Sequence, residues 1–243
     1  MPNKPIHRPL VPRAGDLYVC VENMDKRRSI LAKVRRVAAA AFENAVRLHE
    51  DAILLFKEER VPSALHTSAL SIEEIGKYFM HEDVWWHNNI GPKWTIEEIQ
   101  EFLSTSYSHT AKQRWFASQA DDPYISKPLL RILEEGQMEL IKQKATYVGL
   151  PRKGKNIDFT RRMTSPLRVS KKTAESLITL VNDYFVVLAI GIRKAFFTLD
   201  ITEIDDWLAQ KEFEDHFVDL WPLMRPSAKR YADRMRRYED EER

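Results

Sequence analysis

The helical periodicity between Met24 and Arg60 constrains this chain more than any other feature. Phe42, Ala45, Leu48, Ala52, Leu55 and Phe56 recur at steps of three and four, which lines one face of an α-helix with apolar groups. The segment "ENAVRLHEDAILLF" therefore reads as a core helix. Glycine scarcity extends the point to the whole chain. Only 7 of 243 residues are glycine and turn-forming dipeptides are few, which argues for long helices over many short strands. With 44% hydrophobic residues, the chain can bury a sizeable core and fold as one large domain with decorated ends.

Residues 1–23 carry Pro2, Pro5, Pro9 and Pro12 and predict an extended arm. Pro62 and Ser63 mark a break, and a second helix follows to about Trp86. "HNNIGPKW" reads as a loop. Thr95 and Glu98 form a capping box that opens the helix "IEEIQEFL". Further helices are expected over about Ser106 to Ala120 and about Lys127 to Val148. Residues 149–169 differ: Arg152, Lys153, Lys155, Arg161, Arg162 and Arg168 face a single acid, Asp158, and the stretch reads as a basic loop. Ser170 can cap a helix to about Leu199, with Leu177, Val181, Tyr184, Leu188 and Ile192 on its core face. Residues 200–243 form a tail of one or two shorter helices, ending in a solvated or frayed "RMRRYEDEER". The sum is an all-α antiparallel bundle over residues 24–199, with long core helices and extra terminal helices.

The formal net charge is +2, so no bulk field calls for a nucleic-acid partner and a local patch would have to meet one. The single cysteine, Cys20, excludes an intramolecular disulfide framework and a cysteine-based zinc site, and fits a reducing compartment. The start, "MPNKPIHRPLVPRAG", lacks a signal-type apolar stretch. The longest apolar run, Tyr184 to Ile192, falls short of the ~20 residues needed to cross a bilayer. A soluble, cytoplasmic protein without membrane contact is expected. His81 and His87 are poorly spaced as ligands on one helix, so no metal is expected. Without a phosphate loop, nucleophile elbow or cofactor fingerprint, no cofactor is expected either. The aromatic "VWWHNNIGPKW" reads as core packing or a dimer interface, with base stacking the rarer use.

One polar stripe crosses the second helix. At 100° per residue, His66, Glu73 and Lys77 fall within about 20° of one line, with Glu74 at its edge. A Glu73–Lys77 pair at i,i+4 is the plainest account. Helical geometry alone leaves open whether the stripe faces water or another helix. The blocks "ENAVRLHEDAILLF", "SALHTSALSIEEIGKYF", "SHTAKQRW" and "LIKQKATYVG", in this order from about Phe42 to Gly149, resemble the AbiV family of bacterial abortive-infection proteins, grouped with the HEPN superfamily of helical domains. The basic loop and the helix from Ser170 to Phe197 complete the expected domain. The arm and the tail carry no such resemblance. The likeness implies phage defence by shutting down the infected cell's growth or translation. HEPN relatives are often metal-independent ribonucleases that work as dimers, and many others are inactive binding or scaffolding domains.

Metal-free RNA cleavage needs a group to remove the 2′-OH proton, an acid for the 5′-oxygen and cations for the phosphorane. Active HEPN nucleases place an Arg, four to six residues of any kind, then a His. Arg60 and His66 match, but chance alone gives roughly two such matches in a chain of this content. The stronger candidates are His109 and Lys112, which share a helix face at i,i+3 and match the family's His-x-x-Lys block. His109 is expected as general base or acid, Lys77 and Lys112 on the phosphate, and Glu73 or Glu74 to orient His109 or neutralise the lysines. Lys142 and Tyr147 match the next block. With Lys144, Arg114 and the basic loop they are expected to form an RNA-binding strip. Partners follow from the same reading: RNA or the translation machinery, a phage-encoded activator protein, and a second copy of the chain. The same residues can instead form an internal network that only sets helix register, or serve a non-catalytic binder that blocks translation by occupancy.

Overall fold

The structure is a computed structural model. It describes residues 14–89, 91–119, 127–150, 152–153, 155–193 and 202–241. Two long helices form its spine. α1, Ala14–Lys57, and α2, Val61–Asn89, lie antiparallel and make the most extensive helix–helix contact in the molecule. The turn between them is tight. Glu59 takes a positive φ of 57°, and Pro62 enters the first turn of α2, where a missing N–H leaves no bond unmade.

The proline-rich reading of the start needs correction. Helix α1 begins at Ala14, so residues 14–23 are helical rather than part of an extended arm. No proline follows Pro12 until Pro62, and nothing in that stretch blocks helix. Residues 1–13 lie outside the described residues.

After α2, helix α3, Ile96–Ser104, opens on the expected capping box. Glu98 N–H donates to Thr95 Oγ1 at 3.2 Å and Thr95 N–H donates to Glu98 Oε2 at 2.6 Å. A 3₁₀ turn over 105–107 leads into α4, His109–Gln119. The single helix expected over 127–148 is two: α5, Lys127–Glu134, and α6, Gln137–Thr146. Gly136 causes the break. It sits at φ 71°, and a Cβ there would lie 3.2 Å from Thr110 Cγ2, so only glycine fits the joint without strain. The basic segment is not wholly loop. Strands β1, Arg152–Lys153, and β2, Asn156–Ile157, pair antiparallel, and Gly149 and Thr164 exchange two backbone hydrogen bonds at the base.

Helix α7, Lys171–Arg193, runs through the centre. By length and composition it could cross a membrane, but 89% of its most apolar window is buried inside the bundle. A helix that is apolar all round is what a core position demands. The tail folds onto it as α8, Thr202–Leu208, α9, Lys211–Leu220, and α10, Pro226–Glu241. Phe213, Phe217 and Trp221 join the same core as Phe42, Tyr78 and Phe185. Helix α10 buries Ala228 and Ala232, and Met235 within the run expected to be solvated is buried as well.

Candidate functional site

Helices α2 and α4 cross at Gly76. A Cβ at this position would stand 1.9 Å from the Lys112 carbonyl oxygen, so the two backbones touch and glycine is the residue that permits it. The crossing brings the first turns of α4 over Glu73. Ser108 caps α4, its Oγ accepting from Ala111 N–H at 3.3 Å, and His109 is the first helical residue.

Glu73 is the centre of the site, with only 2% of its side chain exposed. His109 Nδ1–H donates to Oε2 at 2.6 Å. Gln113 Nε2 donates to Oε1 at 2.9 Å, and Lys142 Nζ donates to the same oxygen at 2.7 Å. Lys112 Nζ lies 3.8 Å from Oε2. Burial alone would push the carboxyl upward, but Lys142, His109 and Gln113 outweigh it and hold Glu73 below the usual carboxylate range. An ionised Glu73 accepts only, which places the proton of the His109 ring on Nδ1. In the neutral ring the lone pair is then on the opposite nitrogen, Nε2. It has no partner among the described residues, and 53% of the His109 side chain is exposed.

Glu139, His66 and Thr146 complete the cluster. Lys142 Nζ also lies 2.7 Å from Glu139 Oε2, and despite its burial these two carboxylates keep the ammonium charged, above its ordinary range. His66 Nδ1 meets Thr146 Oγ1 at 2.8 Å. Burial first, and the nearby Lys142 charge second, lower the His66 pKa and favour its neutral ring. Gln113 is fully buried, and its Oε1 has no partner among the described residues. One ligand atom each from Glu73, His109 and Glu139 lie within 4.8 Å of one another, the carboxylate–histidine grouping that His81 and His87 do not make. The Lys142 ammonium already bridges the two carboxylates, so a divalent ion would have to displace it.

The sequence reading placed His109, Lys112 and Glu73 together, and the structure does so. Glu74 and Lys77 stand apart. They pair with each other at 3.7 Å, in place of the expected Glu73–Lys77 pair. Glu73 is occupied by α4 and α6 instead. Lys142 is buried rather than aligned on a surface strip, with its charge held by two acids. Arg114 Nε donates to the Glu134 carbonyl at 2.8 Å and ties α4 to the end of α5. Lys144 and Tyr147 are exposed, as are Phe159 and Arg162 in the following basic segment. Arg60 lies in the α1–α2 turn, and no contact joins it to His66 among the described residues. Gln113, Glu139 and Thr146 escaped the sequence reading. Each was within reach of it: Gln113 is i+4 from His109, and Glu139 and Thr146 are i−3 and i+4 from Lys142.

Fold and site together define a helical bundle with a buried acid that orients a solvent-facing histidine and collects two lysines. The family model that matches, described as AbiV within the HEPN group, covers residues 33–185. The match takes in well over half of the chain, and the chain belongs to the AbiV family of HEPN-type abortive-infection proteins. It spans all the residues of the cluster, the basic segment and most of α7, and leaves out α8–α10. No curated protein and no solved structure matches the chain.

Proposed function

We propose that this abortive-infection protein cleaves RNA by metal-independent acid–base chemistry at His109, and so arrests translation or growth of the infected cell. The observation that supports this most is the 2.6 Å Glu73–His109 hydrogen bond, which holds a half-exposed imidazole against a buried carboxylate. Nε2 takes the proton of a ribose 2′-OH. The 2′-oxygen attacks the adjacent phosphorus, the bond to the 5′-oxygen breaks, and the leaving oxygen takes a proton from a water molecule, whose hydroxide is neutralised by the proton that His109 gives up. The products are a 2′,3′-cyclic phosphate and a 5′-hydroxyl. Glu73 stabilises the imidazolium formed in the first step. Lys112 supplies positive charge to the phosphorane, and Lys142 acts on the cluster through Glu73. Lys144, Tyr147 and Arg162 offer the exposed cations and ring along which a strand could lie.

The test is His109→Ala in the full chain. Loss of RNA cleavage and of growth arrest with little change in melting temperature supports the reading. Growth arrest at wild-type level in the variant overturns it and favours the binder that acts by occupancy. One observation speaks for that second reading: Glu73 and Glu139 balance Lys112 and Lys142, so the cluster is nearly neutral before any phosphate arrives.

A further inference from the structure

A cleft lies on α3 and the loop before it, with a character opposite to that of the Glu73 cluster. Its volume is about 390 Å³, and it is lined by Trp94, Glu98, Glu101, Phe102 and Thr105. Two aromatic rings form its wall, with centroids 5.0 Å apart at an interplanar angle of 65°. Both rings are held from behind. His87 stacks on Trp94 at 4.4 Å, and Trp115 of α4 meets Phe102 edge-on at 5.6 Å. Trp94 and Phe102 also pack on the small buried group of Val34, Val84 and Ile99. The wall is therefore formed in advance of any ligand.

The rim is acidic. Glu98 spends one carboxylate oxygen on the capping box, and the Glu101 carboxylate has no partner among the described residues. Glu97 adds a third exposed acid on the same short helix. Lys93, beside Trp94 in sequence, is exposed and does not line the cleft. Among the described residues no cation stands over Trp94 or Phe102, whereas Arg35 stands over Trp85 at 5.4 Å. An acidic rim repels the phosphates of a nucleic acid, which rules against base stacking here. Electron-rich ring faces beside an unpaired carboxylate attract a planar cation.

We propose that this cleft is a docking site for a partner protein and receives an arginine side chain from it. The guanidinium would stack on Trp94 or Phe102 and donate to Glu101. A protein-borne group fits better than a free small molecule for two reasons. The cleft is open at the surface, where enclosed pockets suit small ligands. Its aromatic wall also continues outward through His87 to the exposed Trp86, giving the aromatic centre and charged edge that protein interfaces favour. This site is separate from the Glu73 cluster and does not depend on the ribonuclease reading.

The test uses the full chain, with N-acetyl-arginine methylamide as the probe and its neutral citrulline counterpart as the control. The six tryptophan indole N–H signals are followed by NMR, and Trp94→Phe identifies the Trp94 signal. A saturable shift of that signal with arginine but not citrulline, weakened roughly threefold to tenfold in Glu101→Gln, supports the site. No shift, or an equal shift with citrulline, overturns it. An arginine affinity unchanged in both Glu101→Gln and Phe102→Ala also overturns it. Spermidine acting at lower concentration than arginine overturns the protein-borne source. Thermal melts of each variant accompany the titrations, and Glu101→Gln, on an exposed residue, keeps the test sound if Phe102→Ala unfolds.

Discussion

Glu73 and Glu214 are two answers to the same physical problem. Each is a buried carboxylate, 2% and 1% exposed, and each collects two cationic side chains. Around Glu214 the cations are guanidinia. Arg193 reaches one oxygen, and Arg236 Nε and Nη2 bond the other at 2.8 and 2.6 Å. This arrangement clamps α9 between α7 and α10 and contains no histidine. Around Glu73 the cations are lysines, and one further ligand is an imidazole that opens to water. The comparison teaches that a buried acid becomes a chemical site only when one of its partners can change protonation state and touch solvent. The Glu214 network fastens the tail, and the Glu73 network has the parts for proton transfer.

Removing the acid should hurt both regions most. Glu73→Ala leaves the buried Lys112 and Lys142 short of a counter-charge, a loss of about 3–5 kcal/mol readable in urea melts, and Glu214→Ala, whose arginines are partly exposed, should lose somewhat less. The comparison sharpens with rescue. Full activity in a Glu214 variant stabilised by a compensating core change, together with none in the Glu73 counterpart, would separate clamp from site. Equal activity in both would break the distinction.

Gly76→Ala comes next. The new methyl meets a backbone carbonyl rather than a flexible side chain, so the helices must separate. A loss of about 1–3 kcal/mol is expected, with a weakened Glu73–His109 bond visible as a changed His109 ring signal in NMR.

A pH effect of intermediate size comes from two buried groups near the tail. His49 bonds Asn182 Oδ1 at 3.1 Å, and burial lowers its pKa to about 4. It favours folding above its unfolded value of 6.5, and that contribution is lost as pH falls through about 4. Burial raises Asp183 to about 7 despite Arg225. Its contribution is full below its unfolded value of 3.8 and is lost as pH rises through about 7. The two slopes oppose each other between about pH 4 and 6.5. Asp183→Asn should therefore gain stability relative to wild type as pH rises across that window, and His49→Gln should gain relative to wild type as pH falls. Denaturant midpoints at several pH values check both signs.

The smallest effects should fall on the exposed members. His109→Ala should cost under about 1 kcal/mol of stability while lowering cleavage by about 10²–10⁴-fold. Lys77→Ala, which breaks only the partly exposed pair with Glu74, should change stability by no more than about 0.5 kcal/mol and leave cleavage unchanged. A large activity loss in Lys77→Ala would return that lysine to the site.

Much of this architecture was legible because helices announce themselves by period and caps. The α1–α2 hairpin, the Thr95–Glu98 box and the core face of α7 follow from residue spacing alone. Contacts between helices carry no such local signal. Glu73 faces His109 and Lys142 because α4 crosses at Gly76 and because Gly136 bends the chain ahead of α6, and neither fact is local. The i,i+4 rule pointed Lys77 toward Glu73, but two other helices took that carboxylate. The β1–β2 pairing was hidden for a different reason: strands of two residues are too short to show alternation.

The bare contact at Gly76 has one last consequence. With no side chain between the rods, α4 has no cushion along which to slide or roll. The imidazole and the Lys112 ammonium are thus mounted on a single stiff arm pinned at that point, so any shift of the arm displaces both at once.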